Sequence, residues 1–189
     1  MREYAYLLGL YLGDGTIARQ ERCWSLRIYS DRKYPGIIEE GRAAMAAVNP
    51  SGGAGVYRRS ERPGYVVICG YSTKWVDLFP QHGPGKKHHR PILLAPWQRE
   101  IVMEQHPGAF LRGLIHSDGW RGMNRVKVKG KWYQYPRYQF SSRSDDIRDL
   151  FADACDALEI AWRPWGTWHV SVAKRDAVAK LDEFVGPKY

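Results

Sequence analysis

The feature that most restricts how this chain can fold is a nine-residue segment that occurs twice, LLGLYLGDG ending at Gly15 and LRGLIHSDG ending at Gly119. The copies agree at Leu7 and Leu111, Gly9 and Gly113, Leu10 and Leu114, Asp14 and Asp118, and Gly15 and Gly119. Around each copy, apolar residues recur at the spacing of one helix face. They are Tyr4, Leu7, Leu8, Tyr11 and Leu12 in the first, and Phe110, Leu111, Leu114 and Ile115 in the second. Pro107 suits the first turn of the second helix, and Asp-Gly ends both.

The segments that follow are duplicated as well. Residues 15–20 with 23–30, and 120–129 with 132–142, alternate like hairpins. Helical periodicity returns at 35–48 and 145–158. A second strand pair then follows in each half, at 55–60 with 65–71 and at 160–165 with 167–172, and short helices close the halves at 73–79 and 174–184. The order αββαββα, used twice, predicts an α+β fold with pseudo-twofold symmetry and two antiparallel four-stranded sheets. The expected halves are 1–80 and 107–189, joined by a linker over 81–106 with a short helix near 97–104.

Charge narrows the partner. Against 20 Asp and Glu stand 29 Lys and Arg, a formal charge of +9, so acidic partners come first. At 44% hydrophobic and 26% charged the composition is that of a folded domain rather than a disordered chain. There is no apolar run long enough for a membrane span and no targeting segment. The three cysteines form no C-x-x-C and suit a reducing cytoplasm. His82, His88, His89 and Cys69 match no zinc spacing.

The chemistry follows from the repeat. Gly9 and Gly13, and Gly113 and Ser117, lie four apart, giving each helix a smooth face for close packing. If those faces meet, Asp14 and Asp118 emerge together at two helix C-termini, where dipoles and like charge favour a bound cation. Hard oxygen donors suit Mg2+. Carboxylates holding a divalent ion beside a basic surface read as phosphodiester hydrolysis of nucleic acid.

That surface is legible from Gly119 to Arg143: Arg121, Arg125, Lys127, Lys129, Lys131, Arg137 and Arg143, with no acid among them. Alternation over 125–129 is expected to turn the charges toward phosphate, and Val126 and Val128 toward the helices. Tyr133, Gln134, Tyr135, Tyr138 and Gln139 are placed to reach bases. The first half offers Arg19, Gln20, Arg22, Arg27, Arg58, Arg59 and Arg62. Trp162, Trp165 and Trp168 stack on bases or pack the last hairpin, with packing expected for at least one.

The doubled nonamer and the elements after it resemble the LAGLIDADG homing endonucleases, in their single-chain form with two motifs, over essentially the whole chain. The resemblance implies a monomer whose sheets form a saddle on double-stranded DNA, cutting both strands with short 3′ overhangs. It implies Asp14 and Asp118 as catalytic metal ligands, and the Gly13 and Ser117 carbonyls as further ligands. Mg2+ would be the cofactor, with Mn2+ substituting and Ca2+ supporting binding without rapid cutting. By the same resemblance a basic residue beyond each last helix, Lys86 or Lys87 and then Lys188, stands near the scissile phosphate. Residues near Ser30-Asp31 and Ser142-Arg143 would position water. The chain departs from the motif at Leu12 and His116, where the first acid usually falls, and the proximity of Lys188 to Tyr189 predicts a frayed lysine. Two other readings stand beside this one: a silent nucleic-acid binder, either transcriptional regulator or intron RNA maturase with RNA as partner, and a hydrolase that uses the paired carboxylates on an acidic small substrate such as a sugar.

Overall fold

The computed structural model describes residues 1–58 and 60–189, so Arg59 lies outside the described residues. The first repeated helix, α1 (Arg2–Asp14), is buried on every side from Tyr4 to Leu12, not along one stripe alone. The cause is its position between its own sheet, the helix α2 (Pro35–Val48) and the second repeated helix, α5 (Pro107–Asp118). Leu7, Leu8, Leu111 and Leu114 are all inaccessible to solvent.

The smooth faces do meet. A Cβ on Gly9 would sit 2.5 Å from the Phe110 carbonyl oxygen, and one on Gly113 would run into the Tyr6 carbonyl. No residue larger than glycine fits where the two backbones cross.

Each helix leads straight into a sheet. In the first half, β1 (Gly15–Arg19), β2 (Trp24–Asp31), β3 (Gly55–Arg58) and β4 (Tyr65–Ser72) form an antiparallel sheet in the order β1-β2-β4-β3. In the second half, β5 (Gly119–Val128), β6 (Lys131–Ser141), β7 (Arg163–Trp165) and β8 (His169–Val172) repeat that order as β5-β6-β8-β7. The β5–β6 turn is two residues long, with Lys129 and Gly130 both at positive φ, the geometry that matches the twist of a hairpin.

The halves close with α3 (Trp75–Leu78) and, after α6 (Asp145–Ala157), with α7 (Arg175–Asp182). Trp75 fills the first sheet's core and donates from its indole to the Gly70 carbonyl at 2.9 Å. In the second core Phe140 stacks on Phe151, centroids 4.7 Å apart and planes within 4°.

The segment between the halves is ordered, with a short helix α4 (Pro96–Arg99) that runs on as a wider helical turn to Gln105. Buried Gln81 and Gln98 bond to each other at 2.6 Å, and Gln98 reaches the Tyr4 hydroxyl at 2.6 Å. These buried amides are satisfied by one another, which fixes the segment against α1. Among the described residues no helix is long and apolar enough to cross a membrane.

Candidate active site and nucleic-acid interface

Because α1 and α5 lie side by side, their C-terminal residues Asp14 and Asp118 open into one cleft of about 660 Å³. A Cβ on Gly13 would lie 3.1 Å from an Asp118 carboxylate oxygen, so the second aspartate rests against the end of the first helix.

Two lysines complete the arrangement. Lys87 Nζ donates to the Gly15 carbonyl at 2.6 Å and the Gly13 carbonyl at 3.1 Å, and it lies 4.9 Å from the centre of the Tyr11 ring. Lys188 Nζ donates to the Ser117 carbonyl at 2.7 Å. Each ammonium therefore sits on the negative end of a helix dipole. Lys86 is exposed at the rim of the same cleft, so Lys87 is the lysine that reaches the helix ends. Lys188 is not frayed: backbone bonds from Gly36 and Ile37 to the Tyr189 carbonyl hold its neighbour.

The charges perturb one another. Desolvation, and then the charge of Asp14, push the Asp118 carboxyl up to about 6. Desolvation also raises Asp14, against the opposing pull of Lys188 and Lys87. Lys87, deeply enclosed, is lowered to about 8 despite the two aspartates, and Lys188 is lowered for the same reason.

A divalent cation fits this donor set. The two carboxylates are hard oxygen ligands with raised proton affinity, the condition in which a cation most relieves their repulsion. Among the described residues no group of three or more His, Cys, Asp or Glu side chains could hold a metal, so other ligands would be backbone, water or substrate. The Gly13 and Ser117 carbonyls already accept from lysines, though a carbonyl has a second lone pair. The Ser117 hydroxyl is used inside its helix, donating toward the Gly113 and Leu114 carbonyls at 3.1 and 2.9 Å.

Sheet register assigns the remaining residues to faces. Ser141 and His169 line the cleft, and residues directly opposite across strands share a face. The cleft-side face of the second sheet therefore carries Trp120, Asn124, Val126, Val128, Lys131, Tyr133, Tyr135, Arg137 and Gln139. The opposite face carries buried Tyr138 and Phe140 and, with them, Arg121, Arg125, Lys127 and Gln134.

This reverses the facing expected of residues 125–129. The charges do alternate onto one face, but it is the helix side. Arg121 forms a two-pronged pair with Asp182 of α7 at 2.6 and 2.7 Å, and the Tyr138 hydroxyl donates to the same carboxylate, so Tyr138 reaches no base. Arg125 and Lys127 lie 4.7 and 5.8 Å from the centre of the Trp132 ring. Lys129 sits at the turn.

The first sheet follows the same rule. Arg27 shares the cleft-side face with Thr16, Tyr29, Tyr57 and Tyr65, whereas Arg19 and Arg58 fall on the face of Leu26 and Val66. Arg19 packs over Trp24 at 5.1 Å. Arg22 is exposed in the β1–β2 turn.

On the cleft side, cations are paired with rings: Arg137 lies 5.3 Å from the centre of the Trp165 ring, and Arg143, lining the cleft, 5.1 Å from that of Trp168. Trp162 instead bonds Asp156 and packs on the core. His169 bridges Ser141 Oγ at 2.7 Å and Gln139 Nε2 at 3.0 Å.

Several organising residues carry no local sequence signal. Arg90 donates to the Pro84, Gly85 and Gln81 carbonyls and shapes the loop that delivers Lys87. Arg112 grips Glu40 with Nε and Nη2, each at 2.8 Å. His116 is lowered to about 4, chiefly by desolvation, so it is neutral, and its Nδ1 bonds the Tyr6 hydroxyl at 2.9 Å.

No protein-family model matches this sequence, and no curated protein sequence matches it either. Solved structures do. I-DmoI in complex with DNA and Mn aligns over 100% of this chain and 98% of its own, with TM-score 0.62 at 13% identity. The LAGLIDADG meganuclease I-AabMI bound to uncleaved DNA aligns over 96% and 82%, with TM-score 0.58 at 10% identity. I-SmaMI bound to uncleaveable DNA aligns over 94% and 81%, with TM-score 0.55 at 7% identity. The fold of this chain is thus that of the LAGLIDADG homing endonucleases.

Proposed function

We propose that this protein is a site-specific double-strand DNA endonuclease that uses a divalent metal, Mg2+ in the first instance, at Asp14 and Asp118. The observation that carries the reading is the joint cleft: two aspartates at adjoining helix ends, each helix end held by a lysine, between two sheets of matching order. I-DmoI, whose fold this chain shares, is described in complex with DNA and Mn and in complex with DNA and Ca, which supports DNA as partner and a divalent ion as cofactor.

In this reading Asp14 and Asp118 hold the metal, which when bound lowers the pKa of water and neutralises charge on the attacking and leaving oxygens. Lys87 and Lys188 add fixed positive charge where the phosphate becomes more negative. The cleft-side rings and amides, Tyr133, Tyr135 and Gln139 among them, meet base edges in a groove, and Lys131, Arg27 and Arg143 meet phosphates. The protein acts as a monomer, since one chain supplies both aspartates and both sheets, and the products carry 3′ overhangs.

The test is cleavage of a randomised duplex library in Mg2+, beside an Asp14→Asn/Asp118→Asn variant and a Ca2+ control. Defined double-strand cuts that need both the aspartates and Mg2+ support the reading. Binding without any cut identifies a silent nucleic-acid binder, and retention of RNA over duplex DNA identifies a maturase-like role.

A further inference from the structure

Lys188 reaches the C-terminal end of α5 from the short tail that follows α7, and a four-carbon side chain on a loose tail would spread its charge over many positions. The tail is not loose. After α7, Arg112 Nη1 binds the Phe184 and Val185 carbonyls, the latter at 2.9 Å. Gly186, at φ +67°, then turns the chain toward the first half.

There the next residue is clamped. The helix α2 begins Pro35-Gly36-Ile37, and its N-cap, Tyr34, makes no side-chain capping bond, which leaves first-turn N–H groups in need of acceptors. The Tyr189 carbonyl supplies one, accepting from Gly36 at 3.1 Å and Ile37 at 3.3 Å. Its ring packs against Gly36, where a Cβ would overlap it. The ring also meets His116 edge-on, centroids 6.3 Å apart. Its hydroxyl donates to Glu40 at 3.3 Å and lies 3.2 Å from Arg112 Nη2.

We infer that Tyr189 is the positioning residue for Lys188: α2 of the first half grips it over Gly36, and that grip fixes the Lys188 ammonium on the Ser117 carbonyl beside Asp118. The inference rests on the reading of Lys188 as a group of the cleavage site. It assigns to Gly36 a role that depends on having no side chain. It also makes the chemistry at the end of α5 depend on a contact between the two halves.

The experiment compares the wild type with Gly36→Ala, Tyr189→Ala, Tyr189→Phe and Lys188→Met. Each acts on the target duplex labelled on both strands, in single turnover with Mg2+. Gly36→Ala and Tyr189→Ala are expected to slow one strand by about 10–100-fold, the scale for removing a supporting contact. That strand is the one Lys188→Met slows, so nicked duplex accumulates while affinity in Ca2+ stays within about threefold. Tyr189→Phe keeps the ring and the carbonyl and cuts at close to the wild-type ratio.

A second readout needs no cleavage. In 15N-lysine protein the bonded Lys188 ammonium gives a slowly exchanging signal, which Gly36→Ala and Tyr189→Ala abolish and Tyr189→Phe retains. Equal cutting of both strands by Gly36→Ala and Tyr189→Ala, with that signal intact, overturns the clamp and leaves the endonuclease reading standing. Lys188→Met without effect on either strand overturns the role of Lys188 and the clamp together.

Discussion

The two halves share an element order but differ in how they meet their surroundings. The first hairpin pairs only five positions, β1 against β2, whereas β5 and β6 pair over ten and extend past the helices that back the sheet. Beyond that edge neither face of the strand is covered: Arg125, Lys127 and Val128 are exposed and Val126 is only half-buried. The lysines differ as well. Lys87 arrives on a linker loop shaped by Arg90, and Lys188 arrives on a tail gripped across the pseudo-twofold axis. What stays the same is the pair of helix ends. Symmetry is therefore strict at Gly9 and Gly113, where two backbones cross, and relaxed where the strands run out into solvent, because close packing there tolerates no side chain and a solvated hairpin tolerates many substitutions.

The largest effect is expected where α1 and α5 cross. Gly9→Leu and Gly113→Leu each force a side chain into the opposing backbone and cost about 3 kcal/mol or more. Denaturant unfolding is expected to show both unfolded or strongly destabilised, and tolerance of one alone would show the halves unequal at their shared axis.

The next effect concerns readout. Arg137 sits on the cleft side, packed against Trp165, while Arg125 occupies the helix side. Arg137→Ala is expected to cost about 1–3 kcal/mol and to relax preference at one base position. Arg125→Ala is expected to weaken all sequences alike or not at all. Binding profiles on a position-varied target separate the two.

A smaller effect tests the helix-side assignment by stability. The Arg121 guanidinium holds Asp182 below the usual carboxylate range. A carboxyl whose folded pKa is depressed adds stability above its unfolded value, and loses it as pH falls through the folded one. Arg121→Ala is thus expected to cost about 1 kcal/mol near pH 7, with little change in DNA affinity. In thermal melts the gap between variant and wild type closes as the pH is taken down through the acid range.

The smallest effect is at the β5–β6 turn. Lys129→Ala is expected to lower affinity uniformly across sequences and to reduce the salt slope of binding by about one.

Much of this was legible in the chain. The repeated Leu, Gly and Asp positions placed α1 and α5 together and put Asp14 and Asp118 at one site, because i, i+4 glycines have few other uses in a soluble helix pair. The facing of Arg125 and Lys127 was not legible. Alternation assigns residues to two faces but does not say which face carries Tyr138, and a strand that outruns its helices carries no hydrophobic face to decide it. The Glu40–Arg112 pair and the Tyr189 clamp join residues more than 70 positions apart and leave no local pattern.

The central claim is that Asp14 and Asp118 form one metal-dependent site serving both strands. It is tested most directly by single-turnover cleavage of the selected target in Mg2+ by wild type, Asp14→Asn and Asp118→Asn, with Ca2+ binding measured in parallel. The account predicts that either substitution slows cutting on the order of 10³-fold, the scale of losing a group that stabilises transition-state charge, while binding in Ca2+ persists. Wild-type rates in the two variants, or cutting by wild type that is indifferent to the metal, would contradict it.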